Sequence, residues 1–368
     1  MDLHLANPNL KNPEFYVPGL PADWVTAHYG IPADEVAKLG SAENPFGPSP
    51  KAMASITAEL GNVHLYSPWT AEPLREALAA KYGYTPENFV CGSGETEVIA
   101  LIIRAFAEPG GQVLMTRPCF PMYHLFAEAE GRHPVYIDTP TMTCEVDAYI
   151  DAIGPDTRIV FVTNPHSPSG TWLEEADVRR IVEAAPHALV ALDEAYVHYS
   201  DTPGYIHLAA EYDNLIVLRT FSKAFGLAGL RLGFGVAHPD LIPPLLAVKP
   251  TWNVGRLQIA GGIAALTDDE HVDRTIAAIL EGKAHVTARF GELDRFRLVP
   301  GTRSNFMLIE ILDPDTDSTL VFEGLLERGV IVKDGSVSFR GLEKRYLRSD
   351  INLPHRMDHL VDALADLP

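Results

Sequence analysis

Cysteine is scarce in this chain. Three residues, Cys91, Cys119 and Cys144, stand at irregular spacing among 368. That number excludes a disulfide framework and a cysteine-based zinc site, and it suits a reducing, cytoplasmic setting. Long apolar runs are lacking too. The stretch 98–107 is among the longest and carries Arg104, so no segment is expected to span a bilayer. The first sixteen residues hold charges and no apolar centre, which argues against a signal peptide. Basic charge is in deficit: 29 Lys and Arg face 49 Asp and Glu, a formal net charge of −20. Such a chain repels phosphate backbones and anionic surfaces, so neither nucleic acid nor membrane is an expected partner. An anionic ligand must be held by a few local cations. No spacing of metal-ligating residues stands out, and neither an internal repeat nor a low-complexity linker is present.

The composition is otherwise that of a folded protein, 46% hydrophobic and 21% charged. The length suits one large domain and a smaller one. Apolar residues recur at helical spacing over 72–81, 96–107 and 174–185. Between them lie short, nearly all-apolar runs at 112–115, 158–163, 188–192, 214–218 and 232–236. Helices alternating with such runs predict a mostly parallel sheet buried on both faces. After residue 253 the texture changes. Helices are expected over 257–267, 271–293 and 355–364, and a strand over 305–311. The predicted architecture is an α/β domain over 50–253 and a smaller α+β domain built from 31–49 and 254–368. Residues 1–30, rich in Pro and Asn, read as an arm.

Four motifs carry chemistry. The segment Arg219-Thr-Phe-Ser-Lys-Ala-Phe-Gly-Leu-Ala-Gly-Leu-Arg231 follows an apolar run. It offers an amine (Lys223), two hydroxyls (Thr220, Ser222) and a guanidinium (Arg231). An enzyme using pyridoxal 5'-phosphate (PLP) needs an amine to form an imine with the cofactor's aldehyde, and hydroxyls and a guanidinium for its phosphate. A surface lysine beside a capping serine is the bland alternative. Leu192-Asp-Glu-Ala-Tyr196 ends another apolar run, where open α/β sheets bind ligands. Asp193 there can pair with a pyridinium nitrogen, and Tyr196 with a phenolic oxygen; a helix N-cap is the alternative for Asp193. Asn164-Pro-His-Ser-Pro-Ser-Gly170 is a tight turn that also reads as a plain loop. Cys91-Gly-Ser-Gly-Glu-Thr-Glu97 leads into a helix start that can cradle a phosphate. It is a poor dinucleotide fingerprint, lacking the third glycine.

In this order the motifs resemble those of the fold-type I PLP aminotransferases, and within them the histidinol-phosphate aminotransferase group. The resemblance runs from about Phe15 to Leu364. Its most specific part is Thr220 to Gly233, similar to the family's lysine segment. Asn44-Pro-Phe-Gly-Pro-Ser-Pro50 resembles an N-terminal signature, and Pro118-Cys-Phe-Pro-Met-Tyr123 the segment that stacks a ring on the cofactor. The resemblance implies that Phe120 is that ring and that the backbone of Glu95 and Thr96 meets the phosphate. It implies that Tyr66 reaches the PLP of a partner subunit, hence a homodimer. It also implies that Arg348, Tyr16, Asn44 and Lys333 contact substrate.

Departures from the family pattern concern substrate and tuning. Ser167 stands where an asparagine usually meets the phenolic oxygen. Ala42 replaces a common asparagine, and Trp252 a smaller aromatic near the dimer interface. Lys333 replaces an arginine and keeps the charge without the fork, with Arg340 and Arg345 expected nearby in compensation. The expected activity is transamination between an amine such as histidinol phosphate and a 2-keto acid. Another PLP reaction (cyclisation, elimination or decarboxylation), a non-catalytic effector-binding domain and a nucleotide-binding protein are the alternatives.

Overall fold

The structure is a computed structural model that describes residues 5, 7–10 and 13–368. Its centre is a seven-stranded sheet made of β1 (Phe89–Gly92), β2 (Gln112–Arg117), β3 (His133–Asp138), β4 (Thr157–Thr163), β5 (Leu189–Asp193), β6 (Leu215–Thr220) and β7 (Gly233–Ala237). The spatial order is β1-β7-β6-β5-β4-β2-β3. Only β7 runs against its neighbours; β6, β5, β4, β2 and β3 pair in parallel. All residues of β5, β6 and β7 are buried, as continuous apolar runs demand of a sheet covered on both faces. Alternate residues feed two separate cores. Val160, Val162, Val190, Leu192 and Val217 pack on one side with Leu74, Leu78, Val178 and Ile181. Ile159, Phe161, Ala191, Ile216 and Leu218 pack on the other with Val98, Ile99 and Ile102.

A second, four-stranded antiparallel sheet comprises β8 (Phe296–Leu298), β9 (Phe306–Ile311), β10 (Lys333–Asp334) and β11 (Tyr346–Asp350), in the order β10-β11-β9-β8. Helices Asp269–Phe290 and Pro354–Ala365 pack beside it. Ala37–Lys38 pairs with Val330–Ile331, which joins the segment before residue 50 to the C-terminal part. Helix Arg256–Ala265 lies instead against helix Pro50–Glu59. No helix among the described residues is long and apolar enough to cross a membrane.

The first thirty residues differ from a featureless arm. Ala22–Tyr29 is a helix closed by Gly30, and its Val25 is fully buried beside Leu326 and Ile331. Pro21 and the single buried position hid it from periodicity. Residues 1–4, 6, 11 and 12, part of the predicted arm and of the predicted absence of a signal peptide, lie outside the described residues.

One buried ion pair braces the end of β5. Glu194 is 0% exposed and Arg219 4%. Arg219 donates to Glu194 Oε2 from Nε at 2.9 Å and from a terminal nitrogen at 2.7 Å. It also donates to Pro203 O at 2.8 Å, and Glu194 Oε1 accepts from the Tyr205 amide at 2.5 Å. Removing one partner of such a pair leaves an uncompensated buried charge. Arg219→Ala is expected to lower the unfolding free energy by about 3–5 kcal/mol. The double variant Arg219→Met, Glu194→Leu is expected to cost far less. Chemical denaturation midpoints of the three proteins check both.

Candidate active site

The C-terminal ends of the parallel strands and the face of the second sheet enclose a cavity of about 500 Å³. Every predicted site residue lines it except Tyr66 and Asn44. The parallel strands supply most of its floor. Thr163, Asp193 and Thr220 are the last residues of β4, β5 and β6, and Ser222 and Lys223 follow β6.

Asp193 is 3% exposed. Its Oδ1 accepts the Ala195 amide at 3.0 Å, and its Oδ2 accepts the Tyr123 hydroxyl. Tyr123 also meets Thr163 Oγ1 at 2.9 Å and stacks on Phe161 with centroids 4.3 Å apart. Burial raises the Asp193 carboxyl above its ordinary value, against the pull of Tyr123, Glu95 and the Ala195 amide. The Lys223 amine is lowered, first by burial and then by Arg348. It donates to Ser41 O at 3.0 Å and lies 5.3 Å from the centre of the Tyr196 ring. Burial pushes the Tyr196 phenol up to about 12, so it is a proton donor at neutral pH.

An anion-binding end is equally defined. Thr220 Oγ1 donates to Ser222 Oγ at 3.0 Å. Helix Glu95–Phe106 starts after Gly94, which supplies no side-chain cap, so the first-turn amides keep their donors for a ligand. Gly94 has φ +80°, and a Cβ there would lie 2.3 Å from the Arg231 guanidinium. Glycine thus lets the guanidinium come up against the helix start. Across the cavity, Ser167 Oγ is buried without a hydrogen-bond partner. Its loop is pinned from behind. Asn164 exchanges bonds of 3.0 and 2.8 Å with the Leu173 backbone. His166 meets Ser169 Oγ at 2.7 Å through Nδ1 and Pro118 O at 3.2 Å through Nε2. Thr116 Oγ1 also meets Nε2, at 3.1 Å. Burial lowers this imidazole to about 4 and keeps it neutral.

On the opposite wall Arg348 is 5% exposed, with its guanidinium 4.7 Å from the Phe306 ring centre and 5.5 Å from that of Phe339. Its Nε has no partner, and Asp350 stands 3.7 Å away. Asp350 Oδ2 accepts the amides of Ser41 at 2.7 Å and Ala42 at 2.5 Å. Lys333 donates to Val17 O at 2.8 Å and lies 5.0 Å from the Tyr16 ring centre. Tyr16 in turn meets Phe120 edge-on at 6.2 Å.

Three expectations are corrected, those for Asn44, Arg340 and Arg345. Asn44 does not face the cavity: its amide donates to Ala224 O at 2.9 Å and Thr275 Oγ1 at 3.1 Å, and its oxygen accepts the Phe46 amide at 2.9 Å. It ties a turn to the backbone after Lys223. Arg340 does not supplement Lys333, because Glu14, Glu128 and Tyr136 occupy it. Arg345 reaches Ile311 O at 3.2 Å and lies off the cavity as well. Tyr66 is 75% exposed and stacks on Trp252 at 4.2 Å, outside this chain's own cavity. Tyr123 and Asp350 also shape the site, and no motif pointed to them. Each is buried beside a site charge, and only the fold reveals those contacts.

Comparison with known proteins agrees with this geometry. Residues 34–364 match the family described as aminotransferase class I and II. The chain is 38% identical over 351 residues to histidinol-phosphate aminotransferase of Symbiobacterium thermophilum, covering 95% of this chain and 94% of that one. It is 38% identical over 336 residues to the enzyme of that name from an Anaeromyxobacter species, covering 89% and 90%. The crystal structure of histidinol-phosphate aminotransferase from Sinorhizobium meliloti in complex with pyridoxal-5'-phosphate superposes with a TM-score of 0.86, over 97% of this chain and 96% of that one, at 23% identity. The chain belongs to the class I and II aminotransferases, and its architecture is fold type I of the PLP transferases. It is a PLP-dependent transaminase similar to the histidinol-phosphate aminotransferases.

The residues fit that cofactor. One cavity holds an amine, a carboxylate, two neighbouring hydroxyls beside a guanidinium, and unpartnered buried atoms on Ser167, Glu95 and Arg348. Without cofactor the Asp193 carboxyl has no cation of its own. With its folded value raised, the native state binds more protons than the unfolded chain above the ordinary carboxylate value of about 3.9. The cost of the ionised carboxyl is therefore absent at low pH, grows as pH rises above about 3.9, and is complete above the raised value. Asp193→Asn is expected to raise the melting temperature of the cofactor-free protein at pH 7 and to leave it unchanged near pH 4. Thermal melts at the two pH values check this.

Proposed function

We propose that this chain transfers the amino group of a phosphorylated primary amine, histidinol phosphate, to a 2-keto acid such as 2-oxoglutarate, as a homodimer. The observation that carries the reading is the single cavity holding Lys223, Asp193 and Arg348, together with relatives named for that substrate. PLP supplies an aldehyde that captures the amine and a ring that takes up the electrons left by removal of the α-proton.

The chain's own residues do the rest. Thr220, Ser222, Arg231 and the amides of Glu95 and Thr96 hold the phosphate, with Tyr66 of a second copy adding its hydroxyl. Asp193 keeps a proton on the ring nitrogen, and Phe120 covers the ring. Tyr196, with Ser167, donates to the phenolic oxygen. The Lys223 amine, lowered by burial and Arg348, would take up the α-proton and be the group that gives it back. Arg348 and Lys333 grip the anionic end of the substrate, and Tyr16 closes over it. The exposed stack of Tyr66 on Trp252 supports a partner surface at that face.

With PLP bound, mixing with histidinol phosphate is expected to bleach the cofactor's absorbance, and 2-oxoglutarate to restore it. Product formed without that cycle would overturn transamination. Lys223→Ala is expected to abolish turnover and the fixation of cofactor to protein by borohydride; fixation that survives would move the amine elsewhere.

Lys333 gives a second test. Burial, and then Arg348, lowers its amine to about 7, so its positive charge is lost as pH rises through that value. Lys333→Arg stays charged throughout. The ratio of wild-type to Lys333→Arg kcat/KM for the phosphorylated donor is expected to fall severalfold between pH 6 and 8. Taking the ratio removes the substrate's own titration.

A further inference from the structure

The reading above leaves one buried acid without a task. Glu95 opens the helix at the cavity, yet its side chain is buried, and it lines the cavity together with Asp193. Its Oε1 has no hydrogen-bond partner. Buried carboxylates are ordinarily matched by a cation or ringed by donors. The charged and titratable groups around this one are Asp193 and Glu194 from β5 and its end, Lys223 after β6, and Tyr123 from the helix after β2. Arg231 approaches at Gly94. The Tyr123 hydroxyl is committed to Asp193 and Thr163, and the Lys223 amine to Ser41 O. Glu95 and Asp193 line the same cavity, and Asp193 acts on the Glu95 carboxyl more strongly than any other charge.

Two buried carboxyls in one cavity repel each other when both are ionised, and the repulsion is relieved when the pair keeps one proton. The surroundings decide where it sits. Asp193 has two donors aimed at it, the Ala195 amide and the Tyr123 hydroxyl, and donors favour the ionised form. Glu95 has none. We propose that Glu95 is a positioning residue that stands as a neutral carboxylic acid, donates a hydrogen bond to Asp193, and so holds that carboxylate ionised toward the cofactor's ring nitrogen. Burial and the neighbouring Asp193 both push Glu95 upward, in agreement with this state. The inference rests on the reading of Asp193 as the partner of the ring nitrogen.

Infrared spectra of the PLP-loaded wild type and of Glu95→Gln at pH 7 test the proton directly. A protonated-carboxyl stretch is expected in the wild type and is lost in Glu95→Gln. Its absence from the wild type, or its survival in the variant, overturns the proposal. PLP titrations followed by absorbance test the donor. Glu95→Gln keeps a neutral donor and is expected to hold PLP within about threefold of the wild type, whereas Glu95→Ala is expected to lose about tenfold or more. Equal losses in the two variants, or none in Glu95→Ala, overturn it. A wild type that takes up no PLP refutes the cofactor reading itself, separately from the infrared result.

Discussion

Asp193 is a carboxylate at the end of a fully buried strand, and its neighbours answer it with hydrogen-bond donors. The Ala195 amide and the Tyr123 hydroxyl reach it, while Arg219, on the neighbouring β6, is consumed by Glu194. A buried negative charge held this way is costly by itself. In the role proposed for Asp193, a protonated ring nitrogen offsets that cost. Much of the site is arranged around that imbalance. Tyr123 is fixed by stacking on Phe161 and by Thr163. Glu194 and Arg219 lock the loop that carries Asp193. β5 delivers the residue at the sheet edge where β4 and β6 also end.

The same reasoning explains how a chain of net charge −20 can hold a doubly anionic cofactor and an anionic substrate. Lys38, Lys223, Arg231, Lys333 and Arg348 line one cavity with Asp193, Glu95 and Glu43. Lys38 and Glu43 neutralise each other at 2.8 Å. Apart from Lys223, the remaining cations lie at two ends, Arg231 with the helix start and Arg348 with Lys333. Anion binding is therefore a local arrangement of a few groups, and the acidity of the rest of the chain has little reach across a Debye length of about 8 Å.

The site was legible in the sequence where its parts are neighbours in the chain. Thr220, Ser222, Lys223 and Arg231 fall within one segment, and strand followed by motif places them at the sheet edge. Long-range partners left no such trace. Tyr123 meets Asp193 from 70 positions away, and Asp350 meets Ser41 from 309. The periodicity that found the buried strands missed β1, with four residues, and β3, whose outer positions are exposed and which carries Pro134. Asn44 was misjudged for a different reason. Its motif is similar to the family's signature, but an amide can serve the backbone as readily as a substrate, and only hydrogen-bond accounting separates the two.

The turn at residues 41–42 links the two halves of the chemistry. Ser41 O accepts the Lys223 amine, while the amides of Ser41 and Ala42 hold Asp350, which stands beside Arg348. The positions of the Lys223 amine and of the Arg348 guanidinium are thus set by the same two peptide units. Ala42 adopts φ +52° there, a left-handed conformation that asparagine tolerates better than alanine. The asparagine common in the family pattern would meet that backbone at lower cost. In this chain the Asp350 contact, made at 2.5 Å to the Ala42 amide, and the burial of the turn must hold it. The placement of Lys223 relative to Arg348 therefore depends on a contact between the segment before residue 50 and β11, so the large sheet alone does not fix it.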